Sequence, residues 1–441
     1  MVDRPLLIRG GRVIDPAQNI DEVLSLLITG DKISWLGKED DKSLPGECDI
    51  LKADGLIVSP GFIDLHCHLR EPGFEDKETI ITGTQAAANG GFTTICCMPN
   101  TNPPLDSRSA VKRVTAEADK NGLVRVLPIG CITQDRGGEK LSPMSELAKA
   151  GVIGFSDDGD CLMNTELMCQ ALRNARELGL IIIEHCEHAG LAKGGIINLG
   201  RLSLELGLTG IPAAAEEIMV ARDIALARIT GGRIHIAHAS TAGTVDIIRR
   251  ARAEGLPVTA EVTPHHLTLT EEKVRGYDTS AKVNPPLRTE EDIRALIEAL
   301  KDDVIDAIAT DHAPHTVGEK GLGFGEAPFG ISGFETALGS LMSLVHGGQL
   351  TLDKLISKLT REPAGILGNK QEKTGSLETG FSADVVIFDP DKEWQVDPDT
   401  FASKGKNTPL AGARLKGKVM ATISRGKIVY RNTALKIQAS K

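Results

Sequence analysis

Leu56-Ile57-Val58-Ser59-Pro60-Gly61-Phe62-Ile63-Asp64-Leu65-His66-Cys67-His68 is the stretch that decides the fold. Its short apolar run, 56–65, reads as a buried strand. The run ends in two histidines two residues apart. Side chains alternate along an extended chain, so both imidazoles leave it on the same side. Paired imidazoles at a buried strand end form a metal clamp, but a lone His-x-His is also an ordinary core or surface pattern. The rest of the chain decides between the two.

Seven more runs repeat the plan. After 58–65, the segments 93–98, 124–129, 152–155, 180–184, 234–237, 258–262 and 305–309 read as short apolar strands. Helical spacing occupies 78–89, 108–120, 165–178, 213–229, 244–253, 290–300 and 334–345. Eight strand–helix units predict an α/β fold, a (β/α)8 barrel of the TIM type. The alternative is an open doubly wound sheet, but no Gly-x-Gly-x-x-Gly opens a helix after the first strand. The chain ends read as β. Residues 6–14 form two strands around a Gly10-Gly11 turn, and 23–28 pairs with 32–36 around Gly30-Asp31. Segments 384–389, 418–423 and 427–430 are strands too. Neither end carries a core of its own, so the two are expected to meet in one small β domain. The expected organisation is 1–56 and 371–441 in that domain, with 57–370 as the barrel.

Composition narrows the function classes. The 441 residues are 41% hydrophobic and 25% charged, an ordinary globular balance. The 47 glycines suit a fold with many short loops. A net charge of -10 with no block of about five or six like charges argues against a nucleic-acid partner. No apolar run approaches the roughly 18 residues of a membrane helix. Met1-Val2-Asp3-Arg4-Pro5 does not read as a signal peptide. The 8 cysteines form no Cys-x-x-Cys pair, and several sit in apolar runs such as Ile95-Cys96-Cys97-Met98. They read as reduced core thiols of a cytoplasmic protein.

The strand ends of a barrel share one rim, where its chemistry sits. His66 and His68 close the first strand, and Ser156-Asp157-Asp158-Gly159 the fourth. Glu184-His185-Cys186-Glu187-His188 closes the fifth, His238-Ala239-Ser240 the sixth, and Asp311-His312-Ala313-Pro314-His315 the eighth. Imidazoles and carboxylates converging on one rim suit Zn(II) or another borderline divalent ion. His235 lies inside its strand and reads as core or as support behind the rim. His265 and His266 read as structural. Arg70, two residues past His68, faces the same way on an extended chain and suits an anionic partner at the rim; a surface pairing with Glu71 or Asp76 is the alternative. The Gly-rich stretch 316–330 reads as a lid or close substrate contact, or else, over 316–326, as a disordered surface insertion. No Gly-Lys-Ser/Thr follows it, so it is not a phosphate loop.

Five motifs carry a family resemblance. They are Asp64-Leu65-His66-Cys67-His68-Leu69-Arg70-Glu71-Pro72-Gly73, Met98-Pro99-Asn100-Thr101, Ser156-Asp157-Asp158-Gly159, Asp311-His312-Ala313-Pro314-His315 and Ala327-Pro328-Phe329-Gly330. Together they resemble the amidohydrolase superfamily and, within it, the bacterial type I dihydroorotases, over essentially the whole chain. The resemblance implies two Zn(2+) per subunit. His66, His68 and Asp311 would hold one, and His185 and His238 the other. Many relatives bridge the metals with a carboxylated lysine; 154–158 holds none, and the type I enzymes use an aspartate. Family spacing to His185 selects Asp158 over Asp157. Arg70, Asn100 and His315 would take the substrate carboxylate. Asn284 and the backbone near Phe329 and Gly330 would face the ring.

The implied reaction interconverts N-carbamoyl-L-aspartate and L-dihydroorotate in UMP synthesis. Water activated between two metals attacks the amide carbonyl, and Asp311 carries the proton. Hydantoinase, dihydropyrimidinase and allantoinase are neighbouring readings, but they commonly use the carboxylated lysine. A non-catalytic scaffold for aspartate transcarbamoylase is a reading of another class; such proteins typically lack metal ligands, which here are complete. The family implies a homodimer and leaves association with aspartate transcarbamoylase open.

Overall fold

The stretch from Leu56 onward is two strands in two different sheets. In the computed structural model, which describes residues 4–38, 47–368 and 373–439, β1 (Leu6–Asp15), β2 (Ile20–Thr29), β3 (Lys32–Gly37) and β4 (Asp49–Lys52) precede β5 (Ile57–Pro60) and β6 (Phe62–Cys67). The expected single strand 58–65 breaks at Gly61. A Cβ there would stand 2.3 Å from the Thr93 side chain, so the chain changes sheets at a point where no side chain fits. The expected Gly10-Gly11 turn is likewise not a turn. β1 runs straight through it, with a bulge between Ile8 and Gly11 and Gly10 at φ +72. The expected domain boundary at 370/371 and the residues Met1–Asp3 lie outside the described residues.

The barrel continues with β7 (Phe92–Cys97), β8 (Arg125–Pro128), β9 (Gly154–Phe155) and β10 (Ile181–Glu184). After an excursion in which β11 (Ile197–Asn198) pairs with β12 (Gly210–Ile211), it resumes with β13 (Arg233–Ile236), β14 (Val258–Val262) and β15 (Ala307–Ile308). β6-β7-β8 and β9-β10-β13-β14-β15 are parallel ladders. Parallel bridges Gly130–Phe155 and Cys67–His312 join them at both seams, so eight strands close into a ring. Ile63, Leu65, Ile181, Ile183, Ala307 and Ala309 belong to one buried apolar cluster, and Ile182, Ile234 and Ile308 to another that includes helix residues such as Val220 and Leu296. The alternation puts one set of side chains in the ring's interior and the other against the helices.

The helices sit where expected, with shifted ends. The first begins at Ile80, not Glu78, because Thr79 caps it through a reciprocal box with Thr82. Glu78 turns inward instead and is fully buried. Helices Met144–Ala150, Leu352–Leu359 and Arg361–Leu367 were not expected.

Both chain ends do join one sheet. β16 (Val385–Gln395), β17 (Arg414–Ser424) and β18 (Lys427–Arg431) continue it in the order β18-β17-β16-β5-β1-β2-β3, and β19 (Ile437–Ala439) pairs with β4 beside β1. β16 and β17 pair out to Gln395–Arg414. The segment 396–413 between them reaches the barrel rim, where Ser403 hydrogen-bonds Glu78.

Candidate metal and substrate site

The β6 ladder slips between Asp64 and Cys67. That bulge lets Ile63 and Leu65 stay in the apolar interior while His66 and His68 both reach the rim. Asp64 anchors the slip, accepting bonds of 2.7 Å each from the Thr310 amide and hydroxyl at the end of β15. Burial pushes its carboxyl up to about 7, against those two bonds.

Four imidazoles and two carboxylates meet there. His66 Nε2 lies 3.4 Å from Asp158 Oδ1 and 3.6 Å from Asp311 Oδ1. His68 Nε2 lies 3.0 Å from Asp311 Oδ1 and 3.6 Å from Asp158 Oδ2. His185 Nδ1 and His238 Nε2 are 2.9 Å apart, at 3.8 and 3.7 Å from Asp158 Oδ1. Two groups could each hold a cation, His66–His68–Asp158 and Asp158–His185–His238, and Asp158 is common to both. His66 Nε2 and Asp158 Oδ1 are buried without a hydrogen-bond partner. Orphaned donors of metal-ligand type, facing one another, fit a divalent ion. Arg70, His238 and Asp311 hold positive φ values of 62, 34 and 46, left-handed backbone of the kind that concentrates at functional sites.

Asp157 points the other way. It accepts from the Ile132 and Thr133 amides at 2.9 and 3.1 Å and from the Thr133 hydroxyl, tying β9 to the loop after β8. Gly159 follows Asp158 at φ +85, a turn that favours glycine.

The histidines are oriented from behind. Glu261 Oε1 sits 2.9 Å from His66 Nδ1, and its Oε2 3.1 Å from His235 Nε2, whose Nδ1 reaches Thr259 at 2.8 Å. Burial works to raise the Glu261 carboxyl, but the bonds to His235 and His66 bring it down to about 2. Such outer partners set a ligand's tautomer and basicity. Glu261 was not among the expected residues. Its signal was a lone acid inside the apolar strand Val258–Val262. Asn100 Oδ1 does the same for His68 Nδ1 at 2.9 Å, a role beyond the expected substrate contact. Burial would raise Asp158 and Asp311 as well, yet the surrounding imidazoles hold both carboxyls below the usual range.

Beside the cluster lies a cavity of about 150 Å³, lined by Arg70, Asn100, Asn284, Phe329 and Gly330 together with His68, His185, His238 and both site aspartates. Among the described residues no carboxylate pairs with Arg70. Its Nε donates to Pro314 O at 3.2 Å, and Nη2 lies 3.2 Å from His315 Nε2, itself 2.8 Å from Phe329 O. The surface pairing with Glu71 or Asp76 is absent. Asn284 Nδ2 is 3.5 Å from His185 Nε2, and its Oδ1 is buried without a partner. His266 bridges Thr263 and Pro285 O, holding the turn beside Asn284. Of the 316–330 stretch, Phe329 and Gly330 line the cavity. Lys320 of that stretch is buried and donates to Thr279 O at 2.9 Å and Pro328 O at 2.8 Å, and Lys282 Nζ donates to Phe324 O at 2.7 Å. No described helix is long and apolar enough to cross a membrane.

Known proteins resemble this arrangement. A dihydro-orotase-like family model matches residues 55–244, and an amidohydrolase family model matches 199–430. The dihydroorotase of Geobacter metallireducens is 50% identical over 97% of this chain and 99% of its own length. That of Pelotomaculum thermopropionicum is 50% identical over 98% of this chain and 100% of its own. Among solved structures, the L-hydantoinase of Arthrobacter aurescens superposes with a TM-score of 0.87, covering 100% of this chain and 98% of that one at 24% identity, a likeness of fold. Closed barrel, split end sheet and near-complete overlap with these relatives agree: the chain belongs to the dihydroorotase family of the amidohydrolases, hydrolases acting on cyclic amides.

Proposed function

We propose that this protein is a zinc-dependent dihydroorotase that interconverts N-carbamoyl-L-aspartate and L-dihydroorotate in de novo pyrimidine synthesis. The observation that carries the reading is Arg70. A guanidinium lines the same cavity as the His/Asp cluster, and no carboxylate of the described residues pairs with it. Cyclic amides without a carboxylate, such as dihydrouracil, would leave it unpaired.

His66, His68 and Asp311 would hold one zinc ion, His185 and His238 the second, and Asp158 would bridge them. Bound there, the ions lower the pKa of water and polarise the scissile carbonyl. The protein's own groups do the rest. Arg70 and His315, with an Asn100 amide hydrogen, clamp the substrate carboxylate. Asn284 and the backbone of Phe329–Gly330 orient the ring, so the amide carbon faces the cluster. Asp311 accepts the proton from the attacking oxygen and delivers it to the leaving nitrogen; in ring closure it returns the proton to the departing oxygen. The surrounding imidazoles hold the Asp311 carboxyl in its ionised form, the form that ligates a cation. Cys67, Cys96, Cys97, Cys131, Cys161, Cys169 and Cys186 are free thiols, which suits a reducing cytoplasm.

The test is metal dependence. Stripping the protein with a chelator should abolish ring opening of L-dihydroorotate, and zinc should restore it with saturation at two equivalents per chain. Full activity in the stripped protein would refute the reading.

A further inference from the structure

The substrate-facing wall is not held by the barrel alone. Asn407 sits at the tip of the β16–β17 hairpin, which belongs to the end sheet, yet its side chain is buried at the barrel rim. Its amide uses its whole hydrogen-bonding capacity. Nδ2 donates to Ala313 O at 3.0 Å and Gly330 O at 2.9 Å. Oδ1 accepts from the His315 amide at 3.0 Å and the Ser332 hydroxyl at 2.9 Å. Two donors and two acceptors are all an Asn side chain offers. The Ser332 amide also donates to Asn407 O at 2.8 Å.

These contacts straddle two segments, Ala313–His315 after β15 and Gly330–Ser332 at the end of the Gly-rich stretch. His315 Nε2 meets Arg70 Nη2 and Phe329 O, and Phe329 and Gly330 line the cavity beside Arg70. The packing leaves no slack. A Cβ on Gly405 would meet Pro314 Cβ at 2.4 Å and Ser332 Oγ at 2.6 Å, and one on Gly330 would meet Ala313 O at 2.6 Å. The metal-ligand side is held independently, His66 by Glu261 and His68 by Asn100. One asparagine from the far end of the chain therefore sets the spacing of the carboxylate-facing wall without touching the His/Asp cluster.

We propose that Asn407 is a positioning residue for substrate recognition, fixing His315 and the Gly330 backbone at the spacing that receives the substrate carboxylate and ring. The proposal rests on the dihydroorotase reading for the ligand, though not for the geometry.

The experiment compares zinc-loaded wild type, Asn407→Ala and the milder Asn407→Ser, which keeps one hydroxyl donor and acceptor. Steady-state kinetics on L-dihydroorotate should show KM rising about tenfold in Asn407→Ala, less in Asn407→Ser, with kcat per folded molecule within a few-fold of wild type. Amide hydrogen exchange, followed by mass spectrometry, should speed up in peptides spanning 313–332 and stay unchanged in those spanning 154–160. A merely structural asparagine would lower the melting temperature and leave KM alone. Unchanged KM in both variants, or exchange across 313–332 as slow as in wild type, overturns the proposal. A wild type that binds zinc but does not open L-dihydroorotate sinks the functional reading instead, and exchange then decides the role of Asn407 by itself.

Discussion

Neighbouring aspartates separate cleanly at the residue scale. Asp158 faces four imidazoles, whereas Asp157 faces backbone amides. Asp158→Ala should lose both zinc ions by elemental analysis and lose turnover. Asp157→Ala should keep the metals and unfold more easily, by about 1–3 kcal/mol for amides left unpaired. The reverse pattern would move the bridge to Asp157. Arg70→Ala should raise KM for L-dihydroorotate about a hundredfold while zinc content stays the same, since a buried charge-assisted pair is worth about 2–3 kcal/mol. Wild-type KM in that variant would dissolve the carboxylate clamp. His315 supplies a pH test. Burial first, then Arg70 and Lys320, bring its pKa from 6.5 down to about 3. An unfolded chain takes up that proton near 6.5, the folded one near 3, so the unfolded state binds more protons in between. His315 thus costs stability as pH falls through that window. His315→Asn should destabilise most near pH 7.5, and the gap to wild type in urea-unfolding free energy should narrow by pH 4.5. A constant or widening gap would mean the ring already protonates in the folded state.

The element scale shows what was legible in the chain and what was not. Strands such as Ile181–Glu184 and Val258–Val262 were legible because an apolar run buried on both faces needs no partner to be seen. The rim residues were legible because each directly follows such a run. Where a strand changes sheets was not. Nothing within 56–68 says that Gly61 abuts Thr93, since that contact is made by a strand some thirty residues on. The β6 bulge, Glu261 behind His66 and the Glu78–His312 pair are hidden for the same reason. Each depends on which strands become neighbours in the ring. Gly61→Ala therefore probes the sheet switch directly. It should cost about 1–3 kcal/mol in chemical denaturation, with part recovered by adding Thr93→Ala. No loss in Gly61→Ala would mean that the switch needs no close approach there.

At the scale of the whole molecule, the end sheet and the barrel work as one frame. β5 runs directly into β6, and the β16–β17 tip closes on the rim through Ser403 and Asn407. Bound metal should stabilise that frame, because it binds only the folded arrangement of ligands drawn from β6, β9, β10, β13 and β15. The central claim is that this frame selects a cyclic amide bearing a carboxylate. The most direct measurement is ring opening by the zinc-loaded protein of L-dihydroorotate, with dihydrouracil, hydantoin and allantoin beside it in one assay. Turnover of L-dihydroorotate far above the other three is the expected result. Equal or better turnover of dihydrouracil or hydantoin would show that Arg70 does not select the substrate and would contradict the claim.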